Sequence, residues 1–343
     1  PEGEASLRST RSLGRTVKLY LFKVLDWKEP SLGLHSARFV PEARLDEEPD
    51  ELGETSYKVP GGEVRYRELR AGEIAPGQRV ALFVHGFSSD TPWMVSGPAT
   101  WFAAQGIPYD HVLTFDYESF GTRISENGQT LANALRAAGF GPDDGLHLDL
   151  FAHSMGTLVS RAMIELWGGD EFVDRAFLAG APNLGTRLAE GKRLITWLGT
   201  VLLNKATPTP PTLLASWALK KVSDDGVGVE DLHPTAEWLR QLNSATGEAR
   251  VPYYILAGGN EIPEAAEGIW NRLRLHVEQL ADTALDFLFG EQNDLVISLS
   301  SMKGVRNGNY PNDLLKSHVL PCNHFEYFGS GEGREQLLAW LAS

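Results

Sequence analysis

A single cysteine, Cys322, among 343 residues rules out an intramolecular disulfide framework and any structural zinc site built from several thiolates. Long apolar runs are missing too. The nearest approach, around Leu194 to Leu203, is broken by polar residues and is about half the ~20 residues a bilayer-spanning helix needs, so no transmembrane segment is expected. Basic residues are also scarce. Against 45 Asp and Glu stand 31 Lys and Arg, and the resulting charge of −14 repels phosphate backbones and anionic lipid surfaces. Nucleic acid is therefore not an expected partner. No pair among His35, His111, His147, His233 and His276 has the i,i+4 spacing with a glutamate that marks a zinc-binding helix, and neither a metal nor a cofactor is expected.

Core material, by contrast, is plentiful. Hydrophobic residues make up 42% of the chain, and 15 Phe and 9 Trp lie among them. The length exceeds that at which one core usually stops growing, which implies one large domain with additions or two smaller units. The sequence begins at Pro1 rather than Met, as a processed or partial chain would, and this leaves room for an upstream domain or a protein partner. Residues 1–16, with Arg8, Arg11 and Arg15 among Ser and Gly, read as a mobile tail or linker. The single cysteine does not locate the protein, since secreted proteins without disulfides exist; the cytoplasm is slightly favoured.

From residue 17 to about 77, short alternating apolar runs (Val17, Leu19, Leu21; then Val64, Tyr66) between Pro- and Glu-rich stretches predict a strand-rich segment. Asp46 to Glu54 holds six carboxylates in nine residues and no base, which reads as a solvated loop. After Gly77 the rhythm changes. Apolar strands at Arg79–Val84, His111–Phe115, Leu146–Ala152, Ala176–Ala179 and Tyr253–Ala257 alternate with helical patterns such as Thr130–Ala138 and Thr157–Trp167. The expected class is α/β, a doubly wound and mostly parallel sheet over residues 78–343 with helices on both faces. Between about 185 and 247 two apolar helical patterns flank the stiff Thr207-Pro208-Thr209-Pro210-Pro211, as in a helical cap inserted over the sheet.

Chemistry enters at Ala152-His153-Ser154-Met155-Gly156, which follows an apolar strand and precedes a helix. Small residues on both flanks let the chain reverse sharply, pushing Ser154 to the tip of the turn above a helix N-terminus. A second strand ends in His85-Gly86-Phe87. Acyl transfer needs two N–H donors aimed at a developing oxyanion, and Phe87 and Met155 are the candidates, with His85 holding the loop's shape or serving as an alternative base. A serine hydroxyl also needs a base, and the base an orienting carboxylate. Asn293-Asp294-Leu295-Val296 offers Asp294, with Glu261 as a competitor; Asn323-His324-Phe325-Glu326 offers His324, with His318 as a competitor. The order Ser154, Asp294, His324 fits acid and base on successive loops at the carboxyl ends of parallel strands. Cys322, two residues from His324, reads as a buried small hydrophobe rather than a nucleophile.

On these motifs the chain from about Arg79 to its end resembles the α/β-hydrolase superfamily, and within it the bacterial lipases and esterases. The small-His-Ser-Met-Gly elbow is similar to that of the small Bacillus lipases, while the Asn-Asp and Asn-His pairs look more like those of the Pseudomonas and Burkholderia enzymes. Ala181-Pro182-Asn183-Leu184-Gly185-Thr186 and Asp231 to Leu239 are similar to stretches that follow the elbow and close the cap in such lipases. The resemblance implies an ester hydrolase acting through Ser154, His324 and Asp294 on a small-molecule ester or lipid, with transient contact at a lipid surface. In some relatives a carboxylate placed like Glu326 binds calcium, but the other ligands do not line up here. Trp197, Leu198 and Trp217 of the insertion are candidates for lining an acyl pocket or for packing the cap. Two other readings remain open: an acyltransferase or amidase using the same triad, and an autoinhibited or accessory module of a larger protein.

Overall fold

The computed structural model describes residues 32–48, 51–59, 61–70, 72–87, 94, 109–119, 121–142, 145–186, 227–259, 292–294, 296–324 and 326–343. Nine strands are found among them: β1 (Gly33–Pro41), β2 (Thr55–Val59), β3 (Gly62–Glu68), β4 (Arg79–Val84), β5 (His111–Asp116), β6 (His147–His153), β7 (Arg175–Ala179), β8 (Tyr253–Gly258) and β9 (Leu315–Leu320). They form one sheet in the order β2-β3-β1-β5-β4-β6-β7-β8-β9. From β5 to β9 every neighbouring pair is parallel, whereas β1 pairs antiparallel with both β5 and β3, and β3 with β2. The strands before residue 77 thus extend the central sheet. Val64 and Tyr66 sit in β3; Val17, Leu19, Leu21 and the tail lie outside the described residues.

The continuous apolar runs behave as a sheet covered on both faces requires. Every residue of β8 is buried, as are all but the first of β4, β6 and β7. Register places Phe83, Phe151, Phe177 and Tyr254 side by side across four parallel strands. Their rings stack at 4.8–4.9 Å, the spacing of the strands themselves, and Lys316 of β9 places its ammonium 5.3 Å over the last ring.

Six helices complete the described core: α1 (Ile124–Ala137), α2 (Met155–Leu166), α3 (Val227–Glu230), α4 (Glu237–Asn243), α5 (Leu299–Lys303) and α6 (Gly331–Leu341). Successive residues of β8 assign two of them to opposite faces. The Tyr253 hydroxyl bonds Glu165 of α2 at 3.1 Å, while the Tyr254 ring meets Trp340 of α6 at 5.3 Å. Helix α1 lies against α2, and Gly128 makes their approach possible: a Cβ there would stand 2.8 Å from Ala162 Cβ and 3.0 Å from Met163 N. Of the expected insertion, residues 187–226, with Trp197, Leu198 and Trp217, lie outside the described residues. The described segment that follows, with α3 and α4, is anchored by Asp231, which accepts from the Ile124 N–H at the start of α1 (2.9 Å) and from Arg123 (2.5 Å).

The described part of the acidic stretch is largely exposed, as a solvated loop should be, but it is not uncompensated. Arg38 of β1 grips Glu54 through two nitrogens (2.8 and 2.9 Å) and also reaches Glu48, while Arg67 of β3 reaches Glu51. The Glu54 side chain is only 1% exposed. Arg44, just before the stretch, adds pairs to Glu47 and Glu48, while the partners of Glu51 and Glu54 stand on neighbouring strands.

Gly128→Ala sets helix propensity against packing. Alanine favours the helix by about 1 kcal/mol, but the added methyl meets a Cβ and a main-chain nitrogen, neither of which swings aside, and such overpacking costs roughly 1–3 kcal/mol. Net destabilisation is expected in urea unfolding; an unchanged or raised midpoint would mean that the two helices slide apart freely.

Candidate active site

Strand β6 delivers its chain end into a turn that steric exclusion dictates. Just beyond it, α2 starts so close to the end of β4 that a Cβ on Gly156 would lie 2.3 Å from His85 O and 2.5 Å from Val84 O. One on Gly86 would lie 2.9 Å from Ser154 Cβ. No side chain fits at either place, and the backbone reversal falls on Ser154, held at φ 52° and ψ −126°. A non-glycine residue in that region is strained and persists only when its surroundings over-determine it. Here they do: Ser154 N–H donates to Ala179 O (2.9 Å), and Ser154 O accepts from the Thr157 N–H (3.0 Å) and hydroxyl (2.6 Å).

His324, in the loop after β9, meets that serine. Its Nδ1–H donates to Asp294 Oδ2 at 2.7 Å, and its Nε2 stands 2.9 Å from Ser154 Oγ, where it accepts the hydroxyl proton. The three residues proposed from chain order are thus brought together from the turn after β6, the segment before α5 and the loop after β9. Asp294 is fully buried, yet well supplied with donors: Oδ1 accepts from the N–H groups of Val296 (3.0 Å) and Ile297 (2.8 Å), and Oδ2 accepts a second bond from the Tyr327 hydroxyl (2.6 Å). Burial by itself would raise the pKa of this carboxyl. The facing His324 and the bonds from His324, Tyr327 and Ile297 outweigh it and hold the group below the usual carboxylate range.

Backbone contacts fix the same three loops. His324 N–H donates to Asp294 O (2.9 Å), and His153 Nε2–H donates to His324 O (2.6 Å). Burial, reinforced by the neighbouring His324, lowers the His153 imidazole to about 3, so it stays neutral. His153 and Tyr327 are the site residues whose parts sequence reading missed. His153 stands inside a motif it singled out and Tyr327 directly follows one, but their partners lie far away in the chain, and no spacing announces that.

The remaining candidates separate clearly. His85 is fully buried away from the serine proton: its Nδ1 bonds Gly86 O (2.8 Å), its ring stacks on Tyr117 (4.5 Å), and its own carbonyl accepts from the Tyr117 hydroxyl (2.8 Å). Phe87 and Met155, each buried, directly follow Gly86 and Ser154, which stand against one another. His318 points from an exposed part of β9, and it is His324 that reaches Ser154. Cys322 is buried, and that burial, with the charge of Asp294, pushes its thiol up to about 12, which keeps it protonated and unreactive. Glu326 accepts weakly from the Asn323 N–H (3.4 Å). Glu261 lies outside the described residues.

The neutrality of His153 predicts an acid-side weakness. Between about pH 6.5, where an unfolded histidine titrates, and about pH 3, the unfolded chain takes up a proton that the fold refuses. This contribution to stability is complete above pH 6.5 and declines as pH falls toward 3, by about 1.4 kcal/mol per pH unit. His153→Gln, which keeps an N–H donor for His324 O, should flatten the dependence of unfolding free energy on pH by about one proton. Parallel profiles for the two proteins would contradict the assignment.

Among solved structures, the mature form of the Bacillus licheniformis lipase BlEst2 matches with 16% identity and a TM-score of 0.51, over 79% of this chain and 95% of that one. EstA from Clostridium botulinum matches with 13% identity and a TM-score of 0.50, over 98% and 97%. The propeptide form of BlEst2 gives 16% and 0.50 over 80% of this chain, which spans about half (52%) of that longer protein. At these identities the likeness concerns the fold, which is the α/β-hydrolase fold found in bacterial lipases and esterases. No curated protein matches the sequence. Residues 56–342 match the profile of DUF7379, a domain of unknown function, and the chain belongs to that family.

Proposed function

We propose that this protein is a serine hydrolase that cleaves carboxylic esters. The observation that carries the reading is the unbroken path Ser154 Oγ, His324, Asp294, with links of 2.9 and 2.7 Å, built on a strained turn that exposes the hydroxyl. In this mechanism His324 Nε2 takes the Ser154 proton as Oγ bonds to the ester carbonyl carbon, and Asp294 stabilises the imidazolium that results. The Phe87 and Met155 N–H groups receive the oxyanion. As the carbon–oxygen ester bond breaks, His324 returns the proton to the departing alkoxide, leaving an acyl-Ser154. Water, deprotonated by the same imidazole, then releases the acid and restores the serine.

The substrate class we infer is apolar acyl esters, lipids included. The two expected apolar faces of the insertion, with Trp197, Leu198 and Trp217, would supply an acyl-binding wall. That the matched BlEst2 is a lipase favours this class.

Hydrolysis of p-nitrophenyl esters of graded acyl length, compared between the wild type and Ser154→Ala, tests the proposal. The variant should lose on the order of 10³-fold or more in kcat. Equal rates would end the reading. His324→Ala should lose nearly as much, and the double variant no more than either alone, because residues acting as one unit are not additive. Multiplying losses would assign the proton transfer to another base.

A further inference from the structure

Tyr327 is buried, with its hydroxyl between two elements of the site. It lies 2.6 Å from Asp294 Oδ2 and 2.8 Å from the Gly258 nitrogen at the end of β8. A phenol has one proton to give. The Gly258 N–H donates and so occupies a lone pair of the Tyr327 oxygen, leaving the phenolic proton for an acceptor. Two are in reach, the Asp294 carboxylate and the Met302 sulfur at 3.3 Å. The charged oxygen is nearer and by far the stronger acceptor. Space around the ring is reserved for this arrangement. A Cβ on Gly180 would come within 2.8 Å of Tyr327 Cε2, and one on Gly258 within 2.8 Å of the hydroxyl and 2.5 Å of Asp294 Cβ.

We infer that Tyr327 is a positioning residue, whose proton on the Asp294 oxygen that also receives His324 sets how strongly that pair draws the serine proton. The inference rests on the hydrolase reading of the same site. Two donors share Oδ2, so the phenol withdraws negative charge from the atom that stabilises the imidazolium. It also blocks carboxylate rotation, because Oδ1 is engaged by two main-chain N–H groups while Oδ2 is pinned from two sides.

Among the described residues, the titratable groups around His324 are Asp294, His153 with His85 beyond it, and, on its own loop, Cys322 and Tyr327, the thiol in turn facing Glu326 and Glu332. Burial and the Asp294 charge drive the Tyr327 phenol far above its ordinary value, Cys322 stays protonated to about 12, and His153 stays neutral to about 3. The phenol is therefore a donor throughout the working range.

The test reads the rate of Ser154 labelling by a fluorophosphonate against pH, which reports the base of the free enzyme without a known substrate. Tyr327→Phe keeps the ring and removes the proton; its acidic limb should move to higher pH by about half a unit or more, because a more negative Asp294 holds the imidazolium more firmly. Placing 3-fluorotyrosine at position 327 strengthens the donor at almost constant volume and should move the limb the other way. A structural role alone would lower the plateau or the folded fraction and leave the limb in place. Limbs that coincide with the wild type in the fluorotyrosine protein overturn the inference while Ser154-dependent labelling stands. Absence of labelling in the wild type overturns the hydrolase reading and the inference with it.

Discussion

The close passage of α2 over the end of β4 is the constraint on which the site depends. Two carbonyl oxygens, of Val84 and His85, occupy the space that any side chain at position 156 would need. The chain must therefore reverse before that point, and the reversal falls on the last residue with freedom to take it, Ser154, at positive φ. Three bonds to two neighbouring residues, Ala179 and Thr157, hold it there, so the hydroxyl is presented by the geometry of strand and helix.

The same economy governs the base. His324 is positioned not only by its side-chain partners but also by its main chain, whose N–H is tied to Asp294 and whose carbonyl is tied to His153. The second tie leads back to the residue preceding the nucleophile. Acid, base and nucleophile thus form a closed circuit of hydrogen bonds in which a shift of any one loop strains the other two. Such closure favours catalysis that depends on preorganised dipoles, since little rearrangement remains for the moment of reaction.

Legibility of the sequence followed the range of the interactions. Strands β4 to β8 were readable within a residue or so because burial on both faces produces uninterrupted apolar runs, and the elbow was readable because its steric rule is local. Strand β9 was not placed by pattern: Leu-Lys-Ser-His-Val-Leu has an exposed middle, as the sheet's last strand. Strand β1, half-buried between antiparallel neighbours, carries a comparably weak signal. The acid and base were found by chain order and motif, whereas the Arg38–Glu54 grip and the roles of His153 and Tyr327 link residues whose proximity only the folded sheet creates.

A buried polar cluster connects these pieces on the α2 side of the sheet. Glu165 accepts from Arg161 (2.8 Å) and Arg306 (2.9 Å), and Arg161 reaches Asn183 and Asn243. Asn183 donates to Met302 O in α5, Asn243 donates to Asn183 O, and Asn243 accepts from the Arg306 N–H. Replacement of buried ion pairs by apolar residues is often neutral for stability, so a cluster of this kind is better explained by what it fixes than by the energy it adds. It binds the helix behind the nucleophile to the helix that follows the acid, and both to α4. Directional bonds of fixed length permit one mutual placement of those helices, where a greasy contact would tolerate several. The 2.7 Å link between Asp294 and His324 requires that single placement.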